Sequence, residues 1–131
     1  MKKRVVCLLL ALLMALALCV GVVAAAEQTG AQLYYVTDAA GLLSENENTR
    51  LEKMAEAVSR KFGVGVYIVT LEDYRDINSE GVYEATYTIY HAYSMGEGSN
   101  RNGIMLLLSM DDRDWAMFCY GDRCEYAFNS Y

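Results

Sequence analysis

Gly63-Val64-Gly65-Val66-Tyr67-Ile68-Val69-Thr70-Leu71 is the stretch whose reading decides the fold. It is almost continuously apolar and rich in β-branched residues, and Glu72-Asp73 closes it, the pattern of a strand covered on both faces. Upstream, Ser44 with Glu47 three residues on forms a capping box. Leu51, Met54, Ala55, Val58 and Phe62 then recur at helical spacing, with Arg60 and Lys61 near the negative end of the dipole. A helix over about 44–62 follows, and Gly63 stops it. Further upstream, Leu33 to Thr37 reads as a short first strand before Asp38, with Gly41 in the turn. Downstream, 79–93 places Val82, Ala85, Ile89 and Ala92 on one stripe and Tyr83, Tyr87 and Tyr90 on the next, a second helix whose tyrosines read as a packing surface. Met95 to Asn102 is a polar, Gly-containing loop. Gly103 to Met110 is another buried strand, Asp111-Asp112-Arg113-Asp114 a turn, and Trp115 to Tyr120 follows too closely for a crossover helix, so it returns as an antiparallel hairpin partner. The order β-α-β-α-β-β implies an α/β fold, with helices on a mostly parallel central sheet joined by right-handed crossovers and one antiparallel strand.

The 131 residues allow one domain at most beyond the N-terminal segment. Lys2, Lys3 and Arg4 precede an apolar run that ends in Ala24-Ala25-Ala26, the pattern of a signal peptide cleaved after Ala26. The run is also close to the ~20 residues that span a bilayer, so a retained anchor competes with cleavage. Either way residues 1–26 engage the membrane or the secretion machinery, and 27–131 form a domain outside the cytoplasm. The formal net charge is −6, and loss of the three leading cations makes the remainder more acidic still. Such a surface repels phosphate backbones, which excludes nucleic acid as a partner. Of four cysteines, Cys119 and Cys124 lie beyond the leader. In an oxidising compartment a disulfide and two separate thiols are equally open readings.

Nucleotide binding is rejected: Gly96-Glu97-Gly98 follows a helix and enters a strand, the reverse of a phosphate-binding loop, and no Walker Lys-Ser/Thr accompanies it. His91 is the single histidine, without the companions of a catalytic triad or a zinc site, and reads as a helix-surface residue. What survives is a set of carboxylates with a common address. Asp38 follows the first strand, Glu72 and Asp73 the second, Asp111 and Asp112 the third; parallel strands would carry all five to one edge, where open α/β sheets bind ligands. Converging carboxylates repel one another and recruit a cation, and an oxygen-only set favours calcium or magnesium. The expected metal ligands are Asp38, Asp73, Asp111 and Asp112. Asp111 or Asp112 would then serve as base or nucleophile in metal-assisted phosphate hydrolysis. The bland alternative is that these aspartates are turn and cap residues, with Asp38 held by amides of the Gly41 turn.

Four ordered blocks, Val36-Thr37-Asp38-Ala39-Ala40-Gly41-Leu42-Leu43-Ser44, Gly63 to Thr70, Asn102 to Leu107 and Ser109 to Asp114, resemble the TPM-domain family. The resemblance covers Tyr34 to about Phe128. It implies a three-layer α/β/α sandwich, an exported location near membranes, divalent-cation binding and, in some members, phosphatase activity on phosphomonoesters. Accessory roles elsewhere in the family imply the other function class, a non-catalytic cell-envelope module for a membrane-protein complex. The site residues it points to are Asp38 and Asp111-Asp112-Arg113. Family members continue past the position of Gly121 into a further helical segment, so 27–131 is expected to carry an incomplete C-terminal helix and an uncovered sheet face.

Overall fold

Ser44 sets the start of the first helix: its hydroxyl accepts the Glu47 amide while the Glu47 carboxylate accepts the Ser44 amide, which satisfies two donors that the helix itself cannot. The helix runs Glu45–Phe62 (α1) and ends at Gly63, whose φ of 63° is the left-handed cap that glycine adopts freely. The computed structural model describes residues 33–129, so the expected leader at 1–26 lies outside the described residues. Around α1 the chain forms β1 (Val36–Asp38), β2 (Gly65–Leu71), a 3-10 turn (Tyr74–Asp76), α2 (Val82–Ala92), β3 (Gly103–Ser109), β4 (Asp114–Tyr120) and α3 (Asp122–Asn129).

The sheet order is β1-β2-β3-β4, with β1, β2 and β3 parallel and β4 antiparallel to β3. This is the α/β sandwich the strand pattern implies. Two boundaries move from the sequence reading, each for a local reason. The first strand begins at Val36 rather than Leu33, because the Tyr35 and Val36 amides donate to the Glu52 carboxylate of α1 (3.2 and 2.6 Å). The second helix begins at Val82 rather than Ser79, because the Asn78 side chain accepts the Glu80 amide and holds the preceding residues in a turn. After β4, Gly121 turns the chain at φ 87° and a short helix follows, in the place where the family resemblance implies an incomplete C-terminal helix.

The main core lies on one sheet face, where α2 sets Ala85, Ile89 and Tyr90 against Tyr67, Val69, Met105, Leu107 and Phe118. Tyr90 is fully buried among aromatic neighbours, and Tyr83 and Tyr87 meet Phe118 edge-on, so the tyrosine stripe is a packing surface. His91 is half-buried in the same cluster rather than on the surface. Its ring stands 5.1 Å from that of Tyr120, and burial pushes its pKa down, with the Arg101 charge adding to the effect. Alternate residues point to the other face. There β1 is covered by α1, and Val36 is buried. Ile104, Leu106 and Leu108 are only half-buried, while Met117 and Trp115, the β4 partners of Leu106 and Leu108, are 46% and 62% exposed. Among the described residues no helix is long and apolar enough to cross a membrane.

Cys119 and Cys124 are free thiols at the junction of β4 and α3. Burial, helped by the hydrogen bond to Cys124, pushes the Cys119 thiol up to about 12. The thiolate fraction at pH 8 is then on the order of 10⁻⁴, against a sizeable fraction for a free cysteine. Iodoacetamide at pH 8 should therefore alkylate Cys119 more than about tenfold slower than a solvent-exposed cysteine. Mass-spectrometric time courses on the Cys119 peptide check this, and alkylation at the free-thiol rate would contradict the buried placement.

Candidate functional site at the carboxyl ends of the strands

Because β1, β2 and β3 are parallel, their carboxyl ends share one edge, and Asp38, Glu72, Asp73, Asp111 and Asp112 all emerge there. Backbone bonds fasten the two loops beyond β2 and β3 together. The Met110 amide donates to the Leu71 and Glu72 carbonyls, the Asp111 amide donates to the Glu72 carbonyl at 2.9 Å, and the Tyr74 amide donates to the Ser109 hydroxyl at 3.0 Å. The hairpin turn from β3 to β4 needs a left-handed residue, which Arg113 supplies at φ 54°.

The five carboxylates divide into groups. Asp38 serves its own turn: its two oxygens accept the Leu42 and Leu43 amides at 3.0 and 2.7 Å, and one also accepts the Thr70 hydroxyl of β2. The Thr70 bond first, then those amides, hold its carboxyl below the usual range despite an opposing desolvation cost. Asp73, Asp111 and Asp112 gather instead around Arg75. The guanidinium lies 2.9 Å from Asp73 and 3.9 Å from Asp111, and it pairs with Asp112 as well. The Arg75 amide also donates to Asp73 at 2.9 Å, and that bond is the main reason the Asp73 carboxyl is held low. Glu72 is exposed, and its carbonyl, rather than its carboxylate, does the joining.

The edge thus brings together three of the four expected metal ligands and leaves Asp38 apart, at the end of β1 and turned into the Gly41 loop. Arg75 and Thr70 were missed in the sequence. The local signal for Arg75 was present, since Asp73-Tyr74-Arg75 is the spacing at which an Asx-type turn returns the side chain to its own loop. Thr70 could be found only from the β1–β2 register, which sets it opposite Asp38. Among the described residues no three acidic, histidine or cysteine side chains stand close enough to hold a metal ion. Asp73, Asp111 and Asp112 as arranged have the Arg75 guanidinium at their centre, which supplies the positive charge that a cation would otherwise bring.

A family model described as the TPM domain matches residues 36–130. The chain belongs to the TPM-domain family. Among solved structures, the chain is similar to the solution NMR structure of the N-terminal domain of a protein from P. gingivalis, at 27% identity and a TM-score of 0.58. The match covers 70% of this chain and 56% of that one, so this TPM domain spans little more than half of its solved relative. No curated protein matches.

Proposed function

We propose that this TPM domain works outside the cytoplasm by binding rather than by turnover, as an accessory module that docks on a membrane-protein complex of the cell envelope. The observation that carries this reading is the division of the acidic edge. Asp38 is committed to turn amides and Thr70, and Asp73, Asp111 and Asp112 are committed to Arg75. A nucleophile or general base needs a free, oriented lone pair at the reacting atom; here Asp111 and Asp112 share one exposed cation. The open half of the second sheet face, with Trp115 and Met117 exposed, supports a docking role, since a contiguous apolar patch marks an interaction surface.

The competing reading is a metal-dependent phosphomonoesterase using Asp111 and Asp112 with calcium or magnesium. The convergence of three carboxylates at the ligand-binding edge favours it. Hydrolysis of p-nitrophenyl phosphate by the purified chain, with calcium or magnesium added, separates the two. The binding reading expects turnover indistinguishable from that of Asp111→Asn. Metal-dependent turnover that disappears in Asp111→Asn would establish the phosphatase instead. A photocrosslinking residue at position 117, in chain expressed in its own envelope, is expected to yield a discrete adduct with a membrane protein, and no adduct would remove the docking role.

A further inference from the structure

A concave site lies at the other end of the sheet, toward the amino ends of the parallel strands. It is a cavity of about 570 Å³, within the range of small-molecule pockets. Four tyrosines, Tyr34, Tyr35, Tyr67 and Tyr93, line it together with Glu52, Glu56 and Glu97, and among the described residues no lysine or arginine lines it. The walls are held in place by the fold. The Tyr35 and Tyr67 rings stack with centroids 5.5 Å apart and planes 11° from parallel. The Tyr67 hydroxyl accepts the Gly96 amide at 3.0 Å, and the Tyr35 hydroxyl donates to one Glu97 oxygen at 2.7 Å. Glu52 is fixed by the Tyr35 and Val36 amides. Glu56 pairs through one oxygen with the exposed Arg60, whose charge reaches Tyr35 from the rim.

The composition of this cavity selects its ligand. Three carboxylates repel an anion, and a neutral apolar ligand would desolvate them without return. A bare metal ion needs donors converging within one coordination shell, and these carboxylates are too dispersed for that. An organic cation has its charge spread over several ångströms of alkyl surface. It meets both wall types at once, the exposed Tyr34 and Tyr93 rings through the quadrupole and the carboxylates through charge. The Tyr35 hydroxyl stays protonated here, because burial and the Glu97 bond push it up to about 12, and burial pushes Tyr67 up as well. The negative charge therefore resides on the glutamates.

We infer that the Tyr–Glu cavity is a binding site for an organic ammonium ion. Tetramethylammonium is the probe, titrated into the full chain and followed through the backbone amide resonances of Tyr93 to Glu97. Sodium chloride at equal ionic strength and tert-butanol as a neutral analogue of similar size are the controls. Saturable shifts with tetramethylammonium alone are expected. Glu97→Gln and Tyr93→Ala should each weaken binding by about threefold or more, the scale of one cation–π or carboxylate contact. Asp111→Asn, at the opposite edge, should leave the affinity unchanged, which separates this site from the acidic rim. Equal shifts with tert-butanol would reduce the cavity to an apolar hollow, and equal shifts with sodium chloride would reduce it to ionic-strength sensitivity. Either overturns the inference. So does unaltered affinity in both variants, provided that their circular dichroism shows them folded; if Glu97→Gln unfolds through loss of the Tyr35 bond, Tyr34→Ala at the exposed lip replaces it and decides on the same criterion.

Discussion

Replacing Tyr90 with alanine is expected to destabilise the domain by about 3–5 kcal/mol, the range for deleting a buried aromatic ring. A domain of this size has roughly 5–15 kcal/mol in total, so the variant should be close to unfolding at room temperature. Tyr90 has no solvent exposure, and its ring contacts those of Tyr67, Phe118 and Tyr120 at centroid distances of 6.1, 5.1 and 5.7 Å. Its hydroxyl donates to the Arg101 carbonyl at 2.8 Å, while the Arg101 side chain donates back to the Tyr90 and Met95 carbonyls at 2.9 Å, satisfying the end of α2. Tyr90→Phe keeps the ring and leaves the Arg101 carbonyl unpaired, a loss of about 1–3 kcal/mol. The same hydroxyl explains why position 103 is glycine: a Cβ there would strike it and would come within 3.1 Å of the Gly65 carbonyl. Gly103→Ala should therefore be strongly destabilising alone and less so in a Tyr90→Phe background, with a coupling of roughly 1 kcal/mol. Urea denaturation of the four proteins measures the cycle. Additive losses would show that the two residues do not compete for one space.

How much of this was legible beforehand differs between fold and site. The strand at Gly65–Leu71 and the helix from Ser44 were readable because each carries its own signal: an uninterrupted apolar run in one case, a capping box with 3.6-residue periodicity in the other. Parallel pairing followed from the alternation of strands and helices along the chain, and with it the common edge for Asp38, Asp73 and Asp111. Which carboxylates meet on that edge was not legible. The answer depends on Arg75, a long side chain that reaches three acids from two loops, and on Thr70, which approaches Asp38 only through strand register. The Tyr–Glu cavity was hidden for the same reason. Glu52, Tyr67 and Glu97 belong to three different elements, and nothing local to any of them marks a shared wall. His91 misled because a polar residue on a helix reads as exposed, whereas the chain returns through β4 and covers it with Phe118 and Tyr120.

Asp38→Ala should destabilise the domain by about 3 kcal/mol at pH 7, since it strips three donors of a charged acceptor: the Leu42 and Leu43 amides and the Thr70 hydroxyl. The loss reaches beyond the edge, because this turn delivers the chain from β1 into the Ser44 cap. The pH dependence separates a turn anchor from a ligand. The Asp38 carboxyl titrates lower in the folded state than in the unfolded chain, where its value is near 3.8. The unfolded state then binds the proton first, so the contribution is complete above about pH 4 and is lost as pH falls through the lowered folded value. Wild type and Asp38→Ala should therefore differ most near neutrality and converge below that point in acid denaturation. Thr70→Val, which removes the largest single contributor to the shift, should move the wild-type acid transition upward. Arg75→Ala, which acts on the other three carboxylates, should leave the stability difference between Asp38 and Asp38→Ala backgrounds unchanged at every pH. A wild-type stability gap over Asp38→Ala that persisted unchanged into strong acid would mean that packing of the turn, not the ionised carboxylate, joins β1 to β2.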